Sequence, residues 1–515
     1  IVMAVNIISR RNTLKKSLAF FMSSSLGLTG CRLSSRGQFI EYPFTLGVAS
    51  GDPLSDSVVL WTRLAPRPDE PHGGLTLDHA PVSWQLSEDE HFKNILRHGV
   101  EIAKPGSAFS IHADVKGLQP SRVYFYRFIA GGVASPTGRT RTAPSPDAFP
   151  GVIRIAQAGC QNFESGYYTA YRHMASDDLD LIIHTGDYIY EGGQSPHGLR
   201  LHQDFRCKTL EQYRRRYALY KSDLDLQAAH AAHPLSAVWD DHEIKNNWHG
   251  AIPGSAYQNR KSAAFKAWWE HMPVRPTQSP SQIQLKLYRS LTFGRTVSFN
   301  FCDTRQFRTP QPCGGKKSSL CSEAMSSGAQ MFGPRQEEWL FSRLRNTSSI
   351  WNVIIQGVPI TEINSSRDPN LKQYSMDKWD RYRVPRRRLL SFIESNNIPG
   401  PISLAGDLHR HLASELHVNF SQPKKVPVAH EFVNTSISSG GDGKKVSKTS
   451  ARWLRNNQHI KFVENQRGYL RHQIRPSSWT AEFMSLDSVS QRHAALRVSR
   501  EIYLERKINI QNMLR

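Results

Sequence analysis

The stretch 179–191, LDLIIHTGDYIYE, is an apolar run that stops at a glycine, an acid and two tyrosines. A short apolar run bounded by turn formers reads as a fully buried strand. The same form recurs in VIRIAQAG (152–159), LSAVWDD (235–241), WNVIIQG (351–357) and PISLAGD (401–407). Helical patterns fall between them: YYTAYRHMAS (167–176), SAAFKAWWEHM (262–272) and PRQEEWLFSRL (334–344). Strands alternating with helices predict an α/β fold, in which ligands gather beyond the carboxyl ends of the strands. The residues that end each run are therefore where chemistry is expected.

Those ends supply Cys160, then Asp187 and Tyr190, then Asp241 and His242, then Asp407 and His409. Taken singly, an Asp after a strand is a turn residue or a helix cap. Jointly they offer thiolate, carboxylate, phenolate and imidazole, which is a metal-binding set. Asp240-Asp241-His242-Glu243 puts four ionisable groups in succession behind Val238-Trp239, a density that a core does not call for. Phenolate and thiolate donors point to ferric iron. Asp187 and Tyr190, three residues apart, can meet one ion while the second Asp187 oxygen bridges to a neighbour. The richer oxygen set of Asp241, Asp407 and an amide from Asn246 or Asn247 suits calcium or another hard divalent ion, one or two in number. Two adjacent metals clamp the attacking and leaving oxygens of an in-line displacement, which is phosphoryl-transfer chemistry.

Outward from this region, 515 residues exceed one hydrophobic core and predict about two domains. From Phe44 to Pro144 short strands alternate apolar and polar residues: SVVLWTRL (57–64), PVSWQL (81–86), FSIHADV (109–115) and RVYFYRFIA (122–130). They predict a small β-sandwich of immunoglobulin or fibronectin type, joined to the rest by the Pro-rich segment 140–151. The chain is strongly basic, net +22 with a pI near 9.8, which favours anionic partners. Its cations are scattered (214–216, 386–388, 444–445) and not interleaved with aromatics, so no specific nucleic-acid recognition is expected.

Before residue 32, Ser9-Arg10-Arg11-Asn12-Thr13-Leu14-Lys15 followed by a modest apolar run reads as a twin-arginine export signal. Export through the twin-arginine machinery to the periplasm or beyond is the expectation. Leu28-Thr29-Gly30-Cys31 resembles a lipobox with a lipid anchor at Cys31, against a plain small-residue cleavage region. Ile1-Val2 before Met3 points to initiation at Met3. In an oxidising compartment Cys313 and Cys321 are candidates to pair, and Cys207 with Cys302 likewise.

GDYIYE (186–191), WDDHE (239–243) with NNW (246–248), and AGDLH (405–409) resemble motifs of the PhoD-like alkaline phosphatases, a branch of the calcineurin-like metallophosphatases whose iron–tyrosinate site is similar to that of the purple acid phosphatases. The similarity extends to VASGDP (48–53), FCDTRQ (301–306), TSISSGG (435–441) and RGY (467–469), hence to most of the chain from about residue 40 to 500. It implies an N-terminal β-sandwich (40–145) and a metallophosphatase domain (150–500) built as a four-layer sandwich, two mixed sheets flanked by helices. It further implies Cys160, Asp187 and Tyr190 on ferric iron, with Asp407 and His409 completing the cluster. Asp241 would meet metal, and His242 would lie over the phosphate of a phosphate ester. The wider superfamily ends its first strand in Asp-x-His where this chain has Ala158-Gly159-Cys160, which disfavours an ordinary two-zinc or two-manganese site.

The expected reaction is attack of a metal-activated water or hydroxide on phosphorus, with His242 stabilising the phosphate oxygens or protonating the leaving alkoxide. Arg216, in YRRRY (213–217), is a candidate phosphate ligand against a solvated helix face. Rival readings are a phosphodiesterase or phospholipase D-like activity on the same site, an exported binding protein with a silent second domain, and a salt-dependent nucleic-acid binder.

Overall fold

The computed structural model describes residues 39–278, 284–315, 317–368 and 370–506; the export segment and Cys31 lie outside the described residues. Two large mixed sheets form the body. The first has nine strands in the order Leu496–Glu505, Ser478–Leu486, Gly468–Ile474, Ile153–Ala158, Leu181–His184, Leu235–Ala237, Val48–Gly51, Ser57–Arg63 and Ser110–Lys116. Its centre is parallel: Leu181–His184 runs between Ile153–Ala158 and Leu235–Ala237, which in turn pairs with Val48–Gly51. The second sheet carries a parallel run, Val297–Phe301, Trp351–Ile355, Pro401–Ala405 and Ala429–Val433, with antiparallel strands on either side.

The sheets meet across one apolar core. Ile153, Ile155 and Ile183 of the first pack with Phe299, Val353 and Leu404 of the second. Along Trp351–Ile355 the two-residue period assigns the faces: Val353 and Ile355 point to that shared core, and Ile354 to the cluster beneath helices. Seven α-helices are described: α1 (Thr169–Ser176), α2 (Leu210–Lys221), α3 (Leu224–Ala232), α4 (Ser255–His271), α5 (Gly333–Arg345), α6 (Arg383–Ser395) and α7 (Lys448–Asn456). Tyr171, Tyr217 and Phe265 tie α1, α2 and α4 to the large core, while Leu340 and Leu390 of α5 and α6 pack with Ile354. No helix of the described residues is long and apolar enough to cross a membrane.

The strands and helices read from the apolar runs are all present, although α4 begins earlier, at Ser255, than its apolar pattern. The N-terminal strands differ from expectation in their pairing. Val48–Gly51, Ser57–Arg63 and Ser110–Lys116 continue the nine-stranded sheet, and a separate five-stranded sheet built on Ala80–Ser87, Ile95–Ala103 and Val123–Ala130 faces them across a second core of Val58, Leu60, Val82, Ile111 and Phe128. Alternation in a strand tells which face is buried but not which neighbour it will pair with.

The cysteine expectations divide. Cys313 and Cys321 form a disulfide. Cys207 and Cys302 do not pair: both are free and buried, one just before the start of α2 in the large core cluster and the other under α5 and α6.

Candidate metal centre

The carboxyl ends of the parallel strands of both sheets converge, and short loop contacts lock them there. Cys160 N donates to Gly186 O at 3.0 Å, Gln161 N to Asp187 O at 3.1 Å, and Ile437 N to Gly159 O at 3.0 Å. Thr185 Oγ1 reaches across to Asn434 Oδ1 at 2.8 Å. Gly186 sits at φ +110° with Asp240 N only 2.4 Å from where a Cβ would stand, so only glycine fits that turn. Cys160, Asp187, Asn247, Asp407 and His409 all adopt left-handed backbone conformations. For residues with a Cβ this costs about 1 kcal/mol or more each. Its concentration at these strand ends marks a place where side-chain direction outranks backbone comfort.

Cys160, Asp187 and His409 each bring a donor atom within 4.8 Å of the others, as do Asp187, Asp241 and His242, and Asp240, Asp241 and Asp407. Tyr190 Oη lies among them, 2.9 Å from Asp187 Oδ2, 3.1 Å from His409 Nε2 and 2.8 Å from Ser439 Oγ. Its ring stacks on His242 with centroids 4.1 Å apart. The His242 backbone N–H donates to Asp187 Oδ1 at 3.2 Å, and its Nδ1 meets Glu191 Oε2 at 2.8 Å.

Electrostatics without a cation are unfavourable here. Burial, reinforced by the Asp187 carboxylate, holds the Cys160 thiol and the Tyr190 phenol far above their ordinary ranges. Burial and the neighbouring Asp241 push Asp187 up to about 6. Burial, with Arg467 and His242 nearby, lowers His409 to about 3, so its imidazole is neutral and its lone pair free for a ligand. For His242 burial pulls downward, but Asp241, Asp187 and Glu191 outweigh it and raise the group to about 10.

Two of the four ionisable groups in Asp240–Glu243 prove structural. Asp240 takes Arg305 in a two-pronged pair, Nε to Oδ1 at 2.6 Å and Nη2 to Oδ2 at 2.8 Å, and Glu243 accepts the backbone N–H groups of Tyr188 and Asp240. Fully buried Arg305 also binds Asp377 Oδ2 at 2.8 Å. Sequence reasoning passed over Arg305, Asp377 and Lys378, whose ammonium contacts Asp407. It also passed over Arg467, which donates to His409 O at 2.9 Å. The signal was available in part, since Arg305, Ser439 and Arg467 fall in the motif stretches FCDTRQ, TSISSGG and RGY.

One expectation is corrected. Arg216 reaches neither phosphate nor solvent: it is fully buried, its guanidinium donating to the carbonyls of Tyr190, Gly192 and Phe205 and to Gln203 Oε1. Asn246 and Asn247 are both exposed, and the Asn246 backbone N–H donates to Glu191. The end of the Asn247 amide lies 3.3 Å from both Asp241 Oδ2 and Asp377 Oδ2. With its nitrogen there it donates to both.

Comparison with known proteins places this geometry. The family model of the PhoD-like phosphatase matches residues 155–483, and that of the PhoD-like phosphatase N-terminal domain matches residues 30–144. Alkaline phosphatase D of Bacillus subtilis (strain 168) is 42% identical over 492 residues, 93% of this chain and 83% of the relative. The solved structure of PhoD superposes with a TM-score of 0.88 at 42% identity, covering 91% of each chain. The chain therefore belongs to the PhoD-like phosphatase family and is a phosphatase hydrolase.

Proposed function

We propose that this chain is an exported, metal-dependent phosphoesterase of the alkaline phosphatase D type. Its cations would be ferric iron held by Cys160, Asp187, Tyr190 and His409, and calcium held by Asp241 and Asp407 with an amide oxygen of Asn246 or Asn247. The observation that carries this is the meeting of Cys160, Asp187, Tyr190 and His409 at the strand ends of two different sheets. The residues fit the ions. Thiol and phenol are buried against a carboxylate that opposes their ionisation, and only a strongly charged cation makes four such donors compatible. Bound there, the cations would supply the charge that activates water near neutral pH and steadies the attacking and leaving oxygens.

The chain's own groups do the rest. Glu191 occupies His242 Nδ1, which leaves Nε2 as the hydrogen-bonding atom for substrate, and the surrounding carboxylates favour the imidazolium. His242 then holds an equatorial phosphate oxygen or hands a proton to the leaving alkoxide. Arg305 and Lys378 bind Asp240, Asp377 and Asp407 and hold their carboxyl oxygens in place beside one another. The same reading assigns the two sheets and their helices to the family's four-layer sandwich, with residues 40–145 as its N-terminal sandwich. It also assigns export to the twin-arginine machinery, with Cys31 as the site of any lipid anchor.

The test is elemental analysis and a visible spectrum of protein purified without chelator, alongside turnover of p-nitrophenyl phosphate and bis-p-nitrophenyl phosphate. Iron with a charge-transfer band that is lost in Tyr190→Phe or Cys160→Ala, with activity falling about 100-fold or more, is the expected result. The ratio of the two esters decides between monoesterase and diesterase. Stoichiometric zinc, or no metal and no turnover of either ester, would overturn the reading.

A further inference from the structure

Beside the metal centre lies a group of cations that the chemistry above does not use. Arg410 follows the candidate ligand His409 directly, and its guanidinium sits over the Trp453 ring, 5.2 Å from the centroid. Trp453 belongs to α7, next to Arg452. Asn456, one turn further along the same face of α7, donates to Ser366 O at 3.0 Å, which places Arg452 over the loop that carries Arg367. A two-way backbone pairing of Ser318 with Tyr374, and Ser319 Oγ bonding Lys372 O at 3.1 Å, bring Lys317 against that same loop.

Arg410, Arg452, Arg367 and Lys317 therefore gather from four separate chain segments. Among the described residues none of them has a carboxylate within ion-pairing distance, although Arg305, Arg308 and Arg386 nearby in the fold are all so paired. Burial first, and then the nearby Arg452 and Arg367 charges, lower Lys317. Several donors here are also buried with no acceptor. They are Nε of Arg410, Arg452 and Arg467, and Nε1 of Trp453, which is itself 8% exposed. A buried N–H without an acceptor is left with its desolvation cost unrecovered. Four in one place, under unpaired positive charge, describe a surface completed by an anion.

We propose that Arg410, Arg452, Arg367 and Lys317 form a second anion-binding subsite contiguous with the metal centre, which selects phosphate esters that carry a further phosphate on the same molecule. Arg467 links the two places, since it binds His409 O on one side and leaves its Nε unpaired on the other. The scissile phosphate would sit at the metals and the second phosphate against α7. The proposal rests on the phosphoesterase reading above and names the substrate class for that site.

The experiment compares phosphate release from glucose 1,6-bisphosphate and glucose 6-phosphate, with p-nitrophenyl phosphate as a reference, for the metal-loaded protein and for Arg367→Ala/Arg452→Ala. The expected result is a preference for the bisphosphate in the native protein. In the double variant the ratio of the two sugar kcat/KM values falls about tenfold, through KM and not kcat, as loss of two solvent-facing ionic contacts predicts. Arg367→Lys/Arg452→Lys should recover most of that ratio, and raising the ionic strength should erode it. An unchanged ratio in the alanine variant, or a fall carried equally by both esters in kcat, overturns the subsite. Absence of turnover of all three esters by the native protein overturns the phosphoesterase reading instead, so the two failures are distinguishable.

Discussion

Lys221 shows how a single side chain can work against the fold that contains it. It ends α2, is almost wholly buried, and packs its ammonium 4.0 Å from the centroid of the Trp61 ring, with no carboxylate in ion-pairing distance among the described residues. Burial lowers it to about 7. In the unfolded chain it titrates as an ordinary lysine, so between about pH 7 and 10.5 the unfolded state binds more protons and stability rises with pH. Below pH 7 both states carry the proton and the desolvation cost is present in full. A shift of this size is worth up to about 5 kcal/mol, of which the cation–π contact returns about 2. Lys221→Met should therefore raise the unfolding free energy by about 2–3 kcal/mol at pH 6 and by little at pH 10.5. Denaturant unfolding at the two pH values checks this, and an equal effect at both would refute it. At this scale the sequence was readable where residue type carried the meaning: Cys160, Tyr190 and His409 stand out as donors wherever they occur. Arg305 and Asp377 did not, because a buried ion pair between positions 72 residues apart looks in sequence like two surface charges.

The same limit explains α2 as an element. Its YRRRY run reads as a charged, solvated face, yet Tyr213, Arg214, Arg216, Tyr217 and Tyr220 are all buried. The helix is wrapped by α4 on one side and by the 190–206 segment on another, so it has polar partners instead of a polar surface. Arg214 pairs with Glu270 of α4, Nε to Oε2 at 2.7 Å. Arg216 collects the carbonyls of Tyr190, Gly192 and Phe205, which would otherwise be buried without donors. Removal of a buried donor of this kind costs about 3 kcal/mol and falls on the groups left behind. Arg216→Ala should thus free the segment 191–206, seen as amide hydrogen exchange at least about tenfold faster there than elsewhere, and should lower kcat by loosening Tyr190. If exchange stayed native and only KM for phosphate esters rose, the phosphate-ligand role set aside above would have to be restored. The strand ends, by contrast, were legible, since an apolar run closed by Gly and Asp leaves few alternatives.

At the scale of the whole molecule the N-terminal strands were correctly expected to form, but their alternation gave no hint that half of them would extend the central sheet. Val48–Gly51 pairs in parallel with Leu235–Ala237, Asp52 accepts from Ser236 Oγ at 2.9 Å, and Arg289 pairs with Asp52 at 2.8 Å. Trp61 Nε1 donates to Glu270 O at 2.9 Å, and His112 stacks on Trp269 with centroids 4.5 Å apart. Two domains joined only by a linker would unfold separately, the smaller one at its own temperature. A sheet that runs through both couples them, because exposing the Leu235–Ala237 edge would strip backbone hydrogen bonds and apolar cover from the strand next to the metal centre. The protein should therefore unfold in one calorimetric transition whose van't Hoff and calorimetric enthalpies agree. A chain beginning near residue 145 should be insoluble or lack the spectrum of the metal centre. Two resolved transitions, or a soluble and metal-binding fragment from residue 145 onward, would show that the shared sheet adds contact without cooperativity. The centre would then depend on the two mixed sheets alone.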